Sequence, residues 1–333
     1  MTPPLTTRAR VLLWDAANLA VREHFHSAGL REVMTPPVVD AVAIEPWIEP
    51  VAASTGWLRT SPELAMKRLL AAGSGPIFQI ADVARAGETG AWHREQFVLV
   101  EWYREGDALE DVIADVESLV ARVVELAAPW TMSTIEAPQR WTRVAFLDAL
   151  AETMPGTVLR GDEDADALTR AVQSLDLPEI RTRSIEARTL EAWTAFFSAW
   201  SDAHLDPWLQ GKFASGEGIH LVEFPAPLAA LAVLARDDRD RRVSGRFESH
   251  ALGRELANGY RELRDPIEQR TRFACVAELR AAHDRVALPV PEAFLADLAD
   301  PGLPPCCGAA LGLDRLIALA VGATSLGDIA LSP

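Results

Sequence analysis

Apolar residues recur at helical spacing over residues 7–29 and stop at Gly29, which predicts one long amphipathic helix. Residues 31–39 follow as a strand, and Pro36-Pro37 within it confines that strand to an edge or a chain-ending position. Such a helix and edge strand serve either a packed N-terminus or a dimerisation surface. Thr60-Ser61-Pro62-Glu63 opens the next helix, with Ser61 as N-cap, Pro62 at the first helical position and Gly73 as the stop. Glu63 falls in its first turn, where the helix dipole favours a carboxylate and capping alone explains it. Residues 77–85 and 97–104 read as two strands of an antiparallel hairpin joined by the loop 86–96. Arg85 stands at its mouth, and Phe97, Leu99, Glu101 and Tyr103 share one face. Residues 108–128 form a strongly amphipathic helix. From about 143 to 215 the chain turns helical, acidic and tryptophan-rich, as an insertion closing over the sheet with its acids on a solvated face. Strand patterns return at 219–224 and 230–235, then a hairpin at 247–263, a helix at 266–285 and a proline-rich connector with a short helix at 287–305.

The hairpin at 247–263 carries the first chemistry. Its turn falls near 251–253, and counting outward from a two-residue turn at Ala251-Leu252 sets Glu248 directly opposite Glu255. Facing side chains there have Cβ atoms about 4.5–5.5 Å apart. Two carboxylates that close repel, and one protonates unless a cation lies between them. Magnesium with a phosphate attached fits, because that ion prefers one or two carboxylates plus phosphate oxygens. Asn258, Tyr260 and Glu262 alternate on one face but out of parity with Glu255, which predicts a bulge at 257–259. A solvated hairpin edge with scattered acids is the alternative. On the other hairpin, Arg85 with Glu101 and Tyr103 suits an amino acid, carboxylate to arginine and ammonium to glutamate; a surface ion pair is the plainer reading. Finally, the small residues Gly308, Ala309, Ala310 and Gly312 let something flat approach a strand closely, with Arg315 at the start of a helix over 316–322 placed to meet a phosphate or stack on a base. Taken singly, a glycine-rich strand–helix junction carries little information.

Composition narrows the classes. The chain has 333 residues, 49% of them hydrophobic, enough for one large core or a core with an insertion. A net charge of −16 opposes a surface that wraps nucleic acid, yet leaves room for a nucleotide held by a metal and two arginines. Three cysteines, two of them adjacent, supply neither a disulfide framework nor zinc spacing, so a reducing cytoplasm is expected. No apolar leader, membrane-length run, repeat or low-complexity tract is seen.

Several blocks in order resemble one family: Thr60-Ser61-Pro62-Glu63, Met66 through Ile80, Glu101-Trp102-Tyr103-Arg104, Glu255 through Leu263, and Gly308 through Arg315. From about residue 8 to 325 the chain resembles the catalytic core of class II aminoacyl-tRNA synthetases of the lysyl type. It resembles more closely the stand-alone paralogues that ligate lysine or β-lysine to elongation factor P. The resemblance implies an α+β fold, an antiparallel sheet flanked by helices with a helical insertion, in one catalytic domain over 1–333 with ATP and magnesium as cofactors. The helix over 8–29 and the Pro36 strand would form a homodimer. Arg85 would bridge the substrate carboxylate and the α-phosphate, and Arg315 would hold the γ-phosphate. Glu88, His93 and Gly312 would complete the ATP site, with magnesium on Glu248 and Glu255. Glu63, Glu101, Tyr103, Asn258, Tyr260, Glu262 and Ala310 would line the amino-acid pocket, Glu262 reading the distal ammonium. Three carboxylates around one small molecule fit a substrate with two ammonium groups.

The acceptor is expected to be a protein, elongation factor P, and not tRNA. The core begins within the first ten residues, leaving no anticodon-binding domain, and Ala310 stands where tRNA-charging relatives carry glycine. The second-motif loop departs from the family pattern, with Gly87 at the adenine-contacting glutamate, Ala91 at a common arginine and Gln96 at a further glutamate. The same chemistry on another acceptor, or a non-catalytic sensor of a diamino acid, are the alternatives that these departures motivate.

Overall fold

The computed structural model describes residues 5–131 and 135–331. In chain order its main elements are helix α1 (Thr7–Ser27), strand β1 (Arg31–Glu32), α2 (Glu63–Ala71), β2 (Ile77–Ala84), β3 (Gln96–Glu105) and α3 (Leu109–Ala127). Then come β4 (Arg140–Ala145), the helices α4 (Phe146–Thr153), α5 (Ala165–Ala171), α6 (Ile185–Trp200) and α7 (Asp206–Ala214), and β5 (Glu217–Val222). The chain closes with β6 (Arg246–Ala251), β7 (Arg254–Arg261), α8 (Pro266–Ala282), α9 (Glu292–Ala299), β8 (Cys306–Gly312) and α10 (Leu313–Ala320).

The eight strands form one sheet in the order β1-β2-β3-β8-β7-β6-β5-β4. Neighbours are antiparallel except at the two edges, where β1 runs parallel to β2 and β4 parallel to β5. The expected antiparallel sheet is therefore mixed at its rims. The strand expected over 31–39 is cut short: only Arg31 and Glu32 join the main sheet, opposite Ile77 and Phe78. Pro36 and Pro37 lack the N–H a ladder needs, and Val38–Val39 instead pairs with Gly56–Leu58 in a separate small sheet. The strand expected over 230–235 shrinks likewise to Leu234–Arg236, paired with Arg242–Ser244, because Ala230 turns the chain at a φ of 48°.

One face of the sheet is covered by α1, α3 and α10, whose apolar stripes meet Phe78, Val100, Trp102, Phe247 and Leu311 in the main core. Helix α1 begins where Thr6 Oγ1 accepts from the Ala9 N–H at 3.2 Å and ends before Gly29, at a φ of 85°. The other face carries α2, α8 and α9 towards one end, around Leu64, Phe273 and Phe294. At the far end α4–α7 build a core of their own, Phe146, Trp193, Phe196 and Trp200 against Ile219, Leu221 and Phe224. The insertion thus covers the β4–β5 end of the sheet and no more, since its aromatic side chains close on one another. Between these two groups of helices the middle strands stay open, and there the polar side chains gather.

Candidate active site

The hairpin β6–β7 turns one residue later than expected. Leu252 and Gly253 hold φ values of 53° and 91°, the two positive values of a two-residue type I′ connection, and Ala251 pairs with Arg254. Glu248 therefore faces Asn258, and Glu255 faces His250. The bulge also falls earlier: Ser249 pairs with Ala257 and His250 with Glu255, so Leu256 is the extra residue. That one residue rotates Glu255 onto the face of Asn258 and Tyr260, with Glu248 diagonal to it.

A cavity of about 300 Å³ opens over this face. Arg85, Glu88, His93, Glu255, Gly312 and Arg315 line it, as do Glu63, Glu101, Tyr103, Asn258, Tyr260, Glu262 and Ala310. Glu248 alone among the residues nominated from sequence stands beside the cavity and not in its wall. Its carboxylate accepts from Arg246 Nη2 at 2.5 Å and lies 3.5 Å from His250 Nε2. Burial opposes ionisation there, but Arg246 and His250 outweigh it and hold the carboxyl below its ordinary value. Glu255 has no hydrogen-bond or ion-pair partner for its carboxylate among the described residues. It keeps open area towards the cavity while its base is ringed by protein, and that enclosure, then Glu248, raises its carboxyl.

One end of the cavity is acidic. Strand β3 sets Glu101 opposite Ala310 and Tyr103 opposite Gly308 on β8. The Tyr103 hydroxyl donates to Glu101 Oε1 at 2.6 Å and the Ser61 hydroxyl to Oε2 at 2.5 Å. Ser61 also accepts from the Glu63 N–H at 3.0 Å, but the helix starts at Glu63 with Pro62, not the expected Ser61, at the N-cap, so Ser61 stands one residue ahead of it. Lys67, one turn on, is buried with Nζ 2.6 Å from Glu63 Oε1 and 2.6 Å from Glu262 Oε2. Lys67 thus engages Glu262 Oε2 as its ion-pair partner, while Asn258 Oδ1 is buried without a donor. Burial pushes Glu262 up to about 8 against the pull of Lys67. Burial, with Glu63 nearby, pushes Glu101 up to about 7. Gly308 is required by this packing, because a Cβ there would lie 2.3 Å from Tyr103 Cδ1.

The other end is cationic. Arg85 lies over Phe97 at 5.0 Å, donates to the Thr60 carbonyl at 3.2 Å and stands 3.6 Å from Glu88. Arg315 donates from Nη1 to the Glu255 carbonyl at 2.8 Å, and its buried Nε has no partner. Burial, then Arg315, Arg254 and Arg85, lower His93, with Glu88 opposing them. Arg254 stacks over Trp92 at 4.7 Å. Arg94, Arg254 and Arg315 form no ion pair among the described residues; Arg94 and Arg315 line the cavity beside Glu88, Glu255 and Asp314. Sequence reasoning missed Glu45, Trp92, Arg94 and Arg254 here, which come together only through the fold. It also passed over Lys67, although the four-residue spacing from Glu63 on one helix was a readable signal.

An acidic pocket and an arginine-lined cleft, side by side on the open middle of a largely antiparallel sheet, are the layout of a class II synthetase core. The model of class II tRNA synthetases (D, K and N) matches residues 6–333, and the chain belongs to that family. Among curated proteins it is 34% identical to an elongation factor P–(R)-β-lysine ligase of Pectobacterium carotovorum subsp. carotovorum, over 98% of this chain and 95% of the relative. The protein of the same name from Proteus mirabilis is 34% identical, over 94% and 91% of the two chains. That from Klebsiella pneumoniae (strain ATCC 700721 / MGH 78578) is 35% identical, over 96% and 93%. No helix among the described residues is long and apolar enough to cross a membrane.

Proposed function

We propose that the protein is an ATP-dependent ligase that activates lysine or β-lysine as an aminoacyl-adenylate and transfers it to a lysine of elongation factor P. The observation that carries this reading is the charge of the pocket. Glu63, Glu101 and Glu262 against Lys67, three negative charges and one positive, leave two negative charges when all are ionised. Two ammonium groups on one substrate balance them. A neutral side chain would leave a carboxylate buried and unpaired, at a cost of several kcal/mol. The names of the ligases quoted above support the substrate and the acceptor.

In this reading Glu262 and Tyr103 hold the distal ammonium, Glu63 and Glu101 the proximal one, and Asn258 and Tyr260 the wall between. Arg85 draws the substrate carboxylate to the α-phosphate. A carboxylate oxygen attacks phosphorus in line, a P–O bond forms, the bond to the β-phosphate breaks and pyrophosphate departs. Arg85, and Arg315 with its unpartnered Nε, stabilise the charge that builds up. An acceptor amine then attacks the activated carbonyl, AMP leaves, and an amide remains. Glu255, with its free carboxylate, and Glu248 diagonal to it fit magnesium, Glu248 having to share its oxygens with Arg246. When bound, the ion neutralises charge on the phosphates. Leu12 and Leu19, 44% and 54% exposed on one side of α1, are the natural contact for a second copy. Three free cysteines suit a cytoplasmic setting.

A second reading keeps the chemistry and changes the acceptor. It is favoured by the loop after β2, where Gly87 donates its N–H to Glu95 Oε1 at 2.9 Å and offers no carboxylate to adenine. Both readings are separated by amino-acid-dependent pyrophosphate exchange with lysine, β-lysine and ornithine, followed by transfer to elongation factor P or to total tRNA. Exchange with lysine or β-lysine and acylation of the factor are expected. Absence of exchange with every diamino acid overturns the reading, and efficient charging of tRNA overturns the acceptor.

A further inference from the structure

Lys67 does not line the cavity; it lies behind Glu63 and Glu262, 1% exposed, on the buried side of α2. We propose that Lys67 is a positioning residue for amino-acid recognition: its ammonium aligns Glu63 and Glu262 and sets the pocket at the two negative charges that a diamino acid cancels. The inference rests on the lysine-activation reading and adds the residue that gives the pocket its charge.

The geometry requires such a residue. Glu63 comes from a helix and Glu262 from the chain just beyond β7, yet a carboxylate oxygen of each lies 2.6 Å from the same nitrogen. Without that ammonium the two acids repel across a site that excludes water, and one rotates away or takes up a proton. The charged and titratable groups around Lys67 come from every element packed on it. They are Glu63 on its own helix, Glu101 and Tyr103 on β3, Tyr260 on β7, Glu262 just after it, and Cys306 at the start of β8. The Tyr103 ring lies 5.9 Å from Nζ. Among the described residues no other cation forms an ion pair with Glu63 or Glu262, so Lys67 is the counter-charge that acts on both directly. Lys67 engages only Oε2 of Glu262; Oε1 has no hydrogen-bond or ion-pair partner among the described residues, and it remains for the substrate in a side chain that lines the cavity. The lysine fixes where the carboxylate stands without consuming its capacity to accept.

The test compares wild type, Lys67→Met and Lys67→Arg by pyrophosphate exchange over lysine concentration at several pH values. In Lys67→Met the neighbouring carboxyls hold their protons more tightly, so the KM for lysine rises at least about tenfold at neutral pH. It recovers as pH is raised, with the pH at which KM levels off moved up by about one unit or more, and the KM for ATP stays within about twofold. A residue that merely fills space would change kcat or thermal stability and leave that pH unmoved. If Lys67→Met does not fold, Lys67→Arg decides the matter. It retains the charge, so the preference for diamino acids survives, but its broader head displaces Glu262 and shifts the preference from lysine towards the shorter ornithine. Unchanged lysine dependence and unchanged chain-length preference in whichever variant folds overturn the inference while leaving lysine activation intact. A wild-type enzyme that activates no diamino acid overturns both.

Discussion

At the scale of single residues the site depends on which carboxylates are answered and which are not. Glu262 is 2% exposed and gives Oε2 to Lys67; its other oxygen has no partner among the described residues, and a substrate ammonium would supply one. Glu262→Gln removes its charge and leaves that ammonium buried and unpaired, a loss of roughly 3–5 kcal/mol. The expected result is a fall in kcat/KM for lysine of about two to four orders of magnitude with the KM for ATP nearly unchanged, read by steady-state exchange. The same acids make lysine binding depend on pH. Glu101 at about 7 and Glu262 at about 8 both lie above their ordinary 4.5. Between those limits the folded chain holds protons that an unfolded chain has released, so their contribution to stability declines as pH rises. Bound ammonium groups favour the ionised carboxylates and displace the protons. The gain in melting temperature that saturating lysine gives should therefore grow from pH 6 to pH 8, as thermal melts in matched buffers would register; a constant or shrinking gain contradicts it.

Individual elements convert sequence pattern into placement, and here the limits of sequence reading become visible. Helices α1 and α3 follow directly from apolar periodicity, because each buries one stripe, whereas strands β2 and β3 are buried on both faces and read as near-continuous apolar runs. Parity along β7 likewise demanded a bulge. Its position escaped because both candidate turns leave glycine on the far side, and the one adopted sets Leu252, a bulky residue, at a φ of 53°. Residue preference argues against that choice; the strand partners β5 and β8, which fix the register from both sides, decide it. Arg254 and Trp92 meet across 162 positions of chain (254 − 92), and no local pattern announces such a pair. Strand β8 offers a direct check on placement. A methyl group at Gly308 would enter the Tyr103 ring and approach the Trp102 carbonyl to 2.9 Å. Gly308→Ala should destabilise the fold by about 1–3 kcal/mol. By dislodging the Tyr103 hydroxyl from Glu101, it should also raise the KM for lysine more than that for ATP.

Over the whole molecule, a chain of net charge −16 sets Arg94 and Arg315, neither in an ion pair among the described residues, in the wall of one cavity. Its acidic exterior repels extended polyanions, while the local cationic field still admits a triphosphate. The face of α1 turned away from the core presents Val11, Leu12 and Leu19 to solvent, and Met34, two residues past β1, is 93% exposed. Replacing Leu12 and Leu19 together by Asp should convert a homodimer to a monomer in sedimentation experiments with the secondary structure retained. A wild type that sediments as a monomer would instead remove the dimer from the proposal.

The stack of Arg254 on Trp92 has an optical consequence. The chain holds ten tryptophans, and Trp92 is the one among the described residues that borders the cavity. Trp102, Trp193 and Trp200 are sealed in the interior, so their emission is a steady background. A guanidinium 4.7 Å from the Trp92 ring quenches or shifts its indole fluorescence as long as it stays there. A triphosphate that drew Arg254 off the ring would change the emission, and the protein would then report its own nucleotide occupancy without a label. Titration with ATP should give a saturable change in wild type that is lost in Trp92→Phe, and lysine added alone should leave the signal nearly flat.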